Sequence, residues 1–354
     1  MPNGKRGVVF WRIAKPPSQG SGAFQGRPAT RDASFQRSMT LLRRGVCTIV
    51  GSNVENAMTL STTERIEQEA AEANEGMAKA GTKLSLGLHK AILAGGEPTR
   101  NLADFLHGTW LGHPLHPMLT DLTIGAWTMG SIFDGIAAYS GSESVAKSAD
   151  YLMIAGTISA VPTAITGMTD FSTIPESAAK TATWHAALNS VNMGLYVWSI
   201  AERRRGNRRR GVLLSTIALG MTAASAWLGG HMVYKERVGV NHADEFEGSG
   251  GWMPVLESHR LGQREPQTVE VDGKPVLLYR EGDAISAIGN TCSHAGGPLN
   301  EGTFEGGCVQ CPWHDSVFKL EDGSVVHGPA TQPQPRFEAR EREGDVEIRL
   351  VEGQ

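Results

Sequence analysis

Four apolar stretches in the middle of the chain constrain its fold more than any other feature. Each approaches or exceeds the ~20 residues that a bilayer crossing needs, and each is rich in the small residues that let membrane helices pack closely. They cover residues 118–139, 151–168, 184–201 and 212–232. The sequence therefore predicts a four-helix transmembrane bundle over residues 111–235, with a soluble four-helix core as the alternative.

Two segments precede this bundle. Residues 1–57 carry nine Lys and Arg side chains against two acidic ones, a composition typical of a disordered leader or of an over-extended start of the reading frame. Residues 58–110 begin with a Ser-x-x-Glu capping-box pattern at Ser61 and continue as an amphipathic run that is broken at Gly95 and Gly96. We expect this second segment to form a surface or interfacial helix.

The pattern changes after the bundle. Residues 236–253 are polar and Gly-rich, as expected of a linker. Over residues 254–354, short alternating apolar runs are separated by Asp-Gly and Glu-Gly turn signals. We therefore expect an α-helical membrane region followed by a small all-β domain.

The predicted β domain contains a group of metal-ligating residues in two short loops. The first loop has Cys292 and His294 separated by one residue, and the second has Cys311 and His314 separated by two. Zinc sites favour Cys-x2-Cys or His-x3–5-His spacings, so zinc is the weaker alternative. Two thiolates can instead hold one iron while two imidazoles hold a second, which is the arrangement of a Rieske [2Fe–2S] centre.

The sequence around these residues, C-S-H-A-G-G-P followed by C-P-W-H-D-S and G-P-A, resembles the Rieske family over residues 254–352. The cluster ligands that this resemblance implies are Cys292, His294, Cys311 and His314. It also implies a third loop at Pro329 that covers the cluster. In Rieske sequences the position of Cys308 is a strand residue, and we interpret this cysteine as a small buried hydrophobe.

The sequence departs from the respiratory members of that family. Those proteins have a clamping disulfide between the two loops, whereas the corresponding residues here are Gly297 and Trp313. Ser316 keeps one hydroxyl donor to the cluster sulfurs, but Phe318 has no hydroxyl at the second donor position. Asp315 adds a negative charge where Gly is usual. Because fewer donors and an added anion favour the oxidised cluster, the resemblance implies a low potential, typical of ferredoxins and oxygenases.

The bundle has a signature of its own, His-Pro-Leu-His-Pro, at the start of its first stretch. It resembles a bacterial four-helix membrane family of unknown function that is marked by H-P-x-H-P and is sometimes fused to a Rieske domain. Alternation of the crossings places the following ionisable residues on one membrane face: His113, His116, Asp121, Asp170, His185 and His231. One interpretation is capping and interhelical hydrogen bonding. The other is a metal or b-type haem site, whose ligands would be His113, His116, His185 and His231.

The charge distribution suggests an orientation. Six arginines in residues 202–210 lie on the opposite face from the histidines, and the positive-inside rule assigns that face to the cytoplasm. The histidines and the Rieske-like domain would then be extracytoplasmic in a multi-pass membrane protein. A net charge of −4 gives no reason to expect nucleic acid as a partner.

These features predict a membrane-anchored Rieske protein that carries single electrons, with the lipid bilayer and an unidentified redox protein or quinol as partners. The alternative is the electron-transfer module of a membrane oxygenase or quinol oxidoreductase that uses the His/Asp face as a metal or haem site. A degenerate β module used for assembly is a third hypothesis, which the intact ligand set disfavours. The sequence does not decide whether the chain is an oxidoreductase component or an electron-transfer protein alone.

Overall fold

The computed structural model describes residues 62–247 and 250–351. Within these residues a helical region precedes a β domain, as the sequence predicts. The segment interpreted as a leader or over-extended start, residues 1–57, lies outside the described residues.

The described helical region contains six α-helices, so the predicted count of four does not match it. They are α1 (Thr62–Ala94), α2 (Glu97–His107), α3 (Leu115–Ser140), α4 (Glu143–Phe171), α5 (Ala179–Arg204) and α6 (Arg208–Tyr234). The two additional helices, α1 and α2, come from the segment expected to form one interfacial helix. The chain turns between them at Gly96, whose φ of 70° glycine adopts without strain. Pro98 then lies in the first turn of α2, where helices tolerate it.

Helices α3 to α6, the four long helices of the bundle, pair as two hairpins, α3 with α4 and α5 with α6. Small residues allow the close approach within each hairpin. A Cβ added at Gly156 would lie 2.6 Å from the indole of Trp127, and one added at Gly211 would lie 2.9 Å from the main-chain oxygen of Ser199. A larger residue at either glycine would force the helices apart.

Polar side chains share the interior of these hairpins with one apolar cluster around Trp127, Met153 and Tyr196, and apolar side chains cover their outside. The buried polar residues include Thr123, Thr163, Asn192, Ser199, Ser215, Thr222 and Ser225. In contrast, Leu122, Ile158 and Trp227 are 63%, 66% and 68% exposed. Proteins that fold in water bury such apolar residues preferentially, whereas helices that face lipid carry apolar residues outside. The distribution therefore disfavours a soluble four-helix core.

Two of the long helices, α4 and α6, are long and apolar enough to cross a membrane, judged by length and composition among the described residues. This criterion is weak by itself, since a core helix of a soluble protein can also meet it. The exposed apolar exterior is a separate observation that points in the same direction.

One charged residue from each long helix enters an ion-pair network. Arg203 on α5 lies 2.5 Å from a carboxylate oxygen of Asp134 on α3 and 2.8 Å from Asp150 on α4. Arg208 on α6 contacts the same two carboxylates at 2.7 and 2.9 Å. The side chains of Arg203 and Asp134 are each only 3% exposed. Two positive charges meet two negative ones, so the network is balanced and ties all four helices together.

The β domain consists of two antiparallel sheets. The strands are β1 (Met253–Glu257), β2 (Gln267–Val271), β3 (Lys274–Glu281), β4 (Ala284–Gly289), β5 (Thr303–Glu305), β6 (Cys308–Gln310), β7 (Val317–Lys319), β8 (Val325–His327), β9 (Arg336–Arg342) and β10 (Asp345–Leu350). The larger sheet has the order β1-β10-β9-β4-β3-β2, and the smaller has the order β5-β6-β7-β8. One hydrophobic core cluster contains Phe318 together with both Cys292 and Cys311. The predicted ligand loops are therefore attached to a packed core.

We expect Arg203→Met to destabilise the helical region by about 3 kcal/mol or more, because it removes the buried cation of the network and leaves the buried Asp134 and the partly buried Asp150 with Arg208 alone. The measurement is thermal unfolding in detergent, followed by the circular dichroism of the helices. Arg204→Met is the matched control, since Arg204 is the next residue and is exposed. Equal melting temperatures for the two variants would contradict this account of the network.

Candidate metal centre

Two loops with the same main-chain hydrogen bonds carry the predicted ligands. The first loop joins β4 to β5, and the second joins β6 to β7. In the first, the N–H of Cys292 donates to the oxygen of Gly297 at 2.8 Å. In the second, the N–H of Cys311 donates to the oxygen of Ser316, also at 2.8 Å. The two motifs therefore fold into matching knuckles.

Each knuckle needs a residue with positive φ four positions after its cysteine. Gly296 has a φ of 81° in the first loop, and Asp315 has a φ of 61° in the second. Each donates its N–H to the main-chain oxygen of the preceding cysteine. Asp is one of the few residues other than Gly that adopt this conformation readily, which explains how it can replace the usual glycine at position 315.

The four predicted ligand side chains meet as two pairs of like groups. Cys292 and Cys311 are 1% and 2% exposed, and their thiols hydrogen-bond to each other. The ring centroids of His294 and His314 are 4.9 Å apart, and the ring planes are nearly perpendicular. Two sulfurs beside two imidazoles match the needs of a cluster that has two protein ligands on each iron.

Contact and burial set the protonation of these groups. The hydrogen bond between the thiols raises the pKa of Cys292 and lowers the pKa of Cys311 to about 7. Burial lowers the pKa of both His294 and His314, so both imidazoles are neutral at neutral pH. Neutral imidazole and thiolate are the forms that bind a metal.

Two further observations show that these residues fit a cluster. The Nδ1 atom of His314 is buried and has no hydrogen-bond partner within the described part of the chain. Such an atom is unfavourable, and a bond to iron would satisfy it. A Cβ added at Gly297 would lie 2.9 Å from the sulfur of Cys311, so the glycine leaves the thiol uncrowded.

Three residues that the resemblance placed around the cluster lie near the ligands. Ser316 is fully buried, and its hydroxyl accepts the N–H of Ala330 at 3.1 Å, which leaves the hydroxyl proton available to a cluster sulfur. Phe318 is fully buried in the core beside both cysteines. Pro329 lines a small cavity next to His314. Their effects on a cluster stay predictions.

Helix α1 contacts the second ligand loop. The Nε2 atom of His89 lies 2.7 Å from a carboxylate oxygen of Asp315, and Gln310 donates to the other oxygen. The hydrogen bond from His89 lowers the pKa of Asp315. Asp315 is therefore negatively charged beside His314, and its partner comes from a helix far earlier in the chain.

Helix α2 holds the third loop. Asp104 accepts the N–H of Gly328 with one oxygen and the ring N–H of His327 with the other, both at 2.8 Å. Gln332 also donates to the main-chain oxygen of Gly112. Helices α1 and α2 thus dock against the second and third loops of the β domain.

A cavity of about 30 Å³ lies at this contact, and its lining includes His89, His107, His314 and Pro329. It has room for ordered water and is too small for an organic substrate. His107 is buried, and its Nδ1 donates to Asp170 at 2.8 Å. Sequence reasoning missed the contact residues on α1 and α2, because no local pattern indicates their partners.

The structure brings together two of the four histidines in the predicted second site. The ring centroids of His116 and His185 are 6.4 Å apart. His113 is exposed, and His231 lies 3.8 Å from the carboxylate of Glu236. Within residues 62–247 and 250–351, no three His, Cys, Asp or Glu side chains form a group suited to one metal ion. The four-histidine site stays a prediction.

Cys308 is a strand residue, as expected, but it is not the buried hydrophobe of our interpretation. It begins β6 opposite Lys319 of β7 and is only half-buried. Short strands of a small sheet leave one face near solvent, which accounts for the difference.

Two family models match the chain, in the predicted order. Residues 112–242 match the family described as "Predicted membrane protein (DUF2231)", and residues 251–338 match the "Rieske [2Fe-2S] domain". Both resemblances seen in the sequence are confirmed.

Curated relatives and solved structures match the C-terminal part. The anthranilate 1,2-dioxygenase ferredoxin subunit of Burkholderia cepacia is 31% identical over 99 residues, which are 28% of this chain and 92% of the relative. Ferredoxin CarAc of Metapseudomonas resinovorans is 36% identical over 101 residues, or 27% of this chain and 92% of the relative. A solved ferredoxin of carbazole 1,9a-dioxygenase from Nocardioides aromaticivorans IC177 is 26% identical, covers 28% of this chain and 98% of its own, and has a TM-score of 0.27.

We expect the cluster potential to lie in the lower half of the Rieske range, which runs from about −150 to +300 mV. Phe318→Tyr should raise it by about 20–65 mV, since one hydrogen bond contributes about 0.5–1.5 kcal/mol and 59 mV is a tenfold change for one electron. The measurement is a redox titration followed by electron paramagnetic resonance (EPR). Phe304→Tyr is the control, because Phe304 packs against the same core cluster from β5. A potential near the top of the range would contradict the prediction.

Proposed function

Because the chain belongs to the Rieske [2Fe–2S] family through residues 251–338, we propose that it is a membrane-anchored carrier of single electrons. The Rieske domain binds a [2Fe–2S] cluster, which accepts and donates one electron. In this proposal Cys292 and Cys311 hold one iron, and His294 and His314 hold the other. The observation that carries it is the meeting of two buried thiols and two neutral imidazoles on matching knuckles.

The histidine side of the cluster is the route for the electron. Both cysteines are buried, whereas His294 and His314 are half-buried, so the imidazoles are the ligands nearest the outside of the β domain. Helices α1 and α2 dock on this side through His89 and Asp104. The helical region therefore lies beside the point where an electron enters or leaves the cluster.

The anchor in this proposal is a multi-pass bundle in which α3, α4, α5 and α6 cross the membrane. The match to a predicted membrane protein family supports it, as do the apolar exterior and the polar interior of these helices. The domain division follows from the same reasoning: residues 58–110 as a helical segment, 111–235 as the membrane domain, 236–253 as a linker and 254–354 as the Rieske domain. His89 and Asp104 of the first of these segments also contact the cluster loops, which the sequence did not indicate.

The orientation proposed is a cytoplasmic arginine loop and an extracytoplasmic Rieske domain. Four of the six arginines in that loop pair with carboxylates, but the positive-inside rule counts Lys and Arg rather than net charge. We expect alkaline phosphatase fused to the C-terminus to be active, and the same enzyme inserted at residues 205–207 to be inactive. The reverse activities would place the Rieske domain in the cytoplasm.

A second candidate function is the electron-donating module of a membrane oxygenase or quinol oxidoreductase. The names of two relatives favour it. Both are matched over 92% of their length, and one is a dioxygenase ferredoxin subunit and the other a ferredoxin. In that case a quinol or a reduced ferredoxin would reduce the cluster, and a separate oxygenase would reoxidise it. Reduction of the cluster by added quinol in isolated membranes distinguishes a quinol oxidoreductase from a simple carrier.

We expect the reduced protein to show a Rieske EPR signal, with an average g value below that of all-cysteine [2Fe–2S] ferredoxins, because imidazoles replace two thiolates. His314→Cys should shift or abolish that signal. His327→Ala is the control, since this histidine lies close by and is not a proposed ligand. Protein without iron that binds zinc at one ion per chain would refute the cluster assignment.

A further inference from the structure

The four long helices are two copies of one helical hairpin. Residues of α5 repeat those of α3 with a constant offset of 69 positions. The offset relates His116 to His185, Trp127 to Tyr196, and Asp134 to Arg203. A polar or aromatic side chain thus recurs at three equivalent positions along α3 and α5.

The second helices of the hairpins repeat as well. Residues of α6 follow those of α4 by 62 positions, which relates Thr163 to Ser225 and Gly167 to Gly229. Both members of the first pair are buried. The repeat therefore extends over both helices of each hairpin, not over one helix alone.

The repeated residues of α3 and α5 meet each other in space. The rings of Trp127 and Tyr196 stack with centroids 3.8 Å apart, and Arg203 contacts Asp134. Equivalent residues of two copies contact each other only near the axis that relates the copies. A pseudo-two-fold axis therefore runs through the bundle, and the two histidines face each other across it at the end nearest the β domain.

The two histidines share one hydrogen bond, from Nδ1 to a main-chain oxygen of the neighbouring helix, and His185 Nδ1 also lies 3.0 Å from the hydroxyl of Ser225. His116 Nδ1 donates to the main-chain oxygen of Thr163 at 2.8 Å, and His185 Nδ1 donates to that of Ser225 at 2.9 Å. A carbonyl only accepts, so the proton is on Nδ1 and the lone pair is on Nε2. Ligating histidines are usually held in this way. The Nε2 of His185 contacts only the exposed amide of Asn189, at 3.0 Å, which can rotate away.

A glycine lies against each ring. A Cβ added at Gly167 would lie 2.7 Å from Cε1 of His116, and one added at Gly229 would lie 3.5 Å from Cε1 of His185. The repeat thus preserves the ring and the neighbouring glycine, and at Gly167 the ring leaves no space for a side chain.

From this geometry we propose that His116 and His185 are the two axial ligands of a haem iron. The ring planes are perpendicular and the centroids are 6.4 Å apart. Two imidazoles on one iron, each with an Fe–N bond of about 2.0–2.1 Å, would have a similar centroid separation. A haem needs only these two protein ligands, since the porphyrin supplies the other four nitrogens. Facing helices of a bundle are a common place for such a site.

A series of side-chain contacts leads from the proposed haem site to the cluster site. Gly167, which abuts His116, is one turn before Asp170 on α4, and Asp170 binds His107. His107 lines the cavity beside His314. This step rests on the proposed function: the reduced cluster gives one electron to the ferric haem, which becomes ferrous, and no bond forms or breaks.

The test is haem and iron analysis of the full-length chain purified in detergent. We expect about one haem per chain beyond the two cluster irons. His116→Ala and His185→Ala should each lower the haem content by about tenfold or more, while the Rieske EPR signal is retained. His113→Ala is the matched control, because His113 is exposed and belongs to the same sequence signature.

A second variant keeps the proposal testable if the alanine variants do not fold. His185→Met retains a ligand of similar size, and a Met/His pair raises the potential of a haem above that of a His/His pair. Wild-type protein with an intact cluster and no haem would overturn the inference and leave the cluster function standing. Haem that is unchanged in both alanine variants, or a metal ion other than haem iron at the pair, would also overturn it.

Discussion

The docking of the cluster loops on the first two helices is the contact on which the rest of the architecture depends. Asp104 binds the main chain of Gly328 and the ring of His327 with its two oxygens, and His89 binds Asp315. These contacts hold the second and third loops, so they fix the histidine side of the cluster site against the end of the bundle. In the proposed transfer from the cluster to a haem, the distance that the electron crosses is set by the fold and not by the diffusion of a separate carrier.

A docking platform of this kind must itself be rigid, and in the proposed membrane bundle the hydrophobic effect between helices does not provide that rigidity. Lipid is as apolar as a leucine side chain, so membrane helices associate through close packing and polar contacts. Gly156 and Gly211 provide the close packing, and Thr123 bonds to Thr163 across α3 and α4 at 3.1 Å. The ion-pair network around Arg203 closes the end opposite the histidine pair. Both ends of the bundle are therefore fixed by polar contacts that involve several helices.

Features that depend on neighbouring residues could be predicted from the sequence, and features that depend on distant ones could not. The knuckles are local, because Cys292 and Cys311 each bond to a residue five positions later, and the spacing of the motif reveals them. The long helices are visible as apolar stretches for the same reason. The pairing of His89 with Asp315 joins residues 226 positions apart, and no local sequence pattern at either residue indicates its partner. The histidines show the same limit. The alternating direction of the four apolar stretches predicts that they lie on one membrane face, but only the structure brings His116 to His185 and leaves His113 exposed.

The duplicated hairpin explains why one pair on its axis, Asp134 with Arg203, joins unlike residues. Two identical residues would meet there, and two aspartates at that depth would repel each other with little water to screen them. Replacing one by Arg203 converts the repulsion into the 2.5 Å contact with Asp134. Helix α2 breaks the symmetry at the other end, since Asp170 on α4 binds His107 of α2, whereas the equivalent position on α6 is Met232. Only one of the two hairpins therefore contacts α2 through this polar pair, so the proposed electron route would enter the bundle on the side of α4.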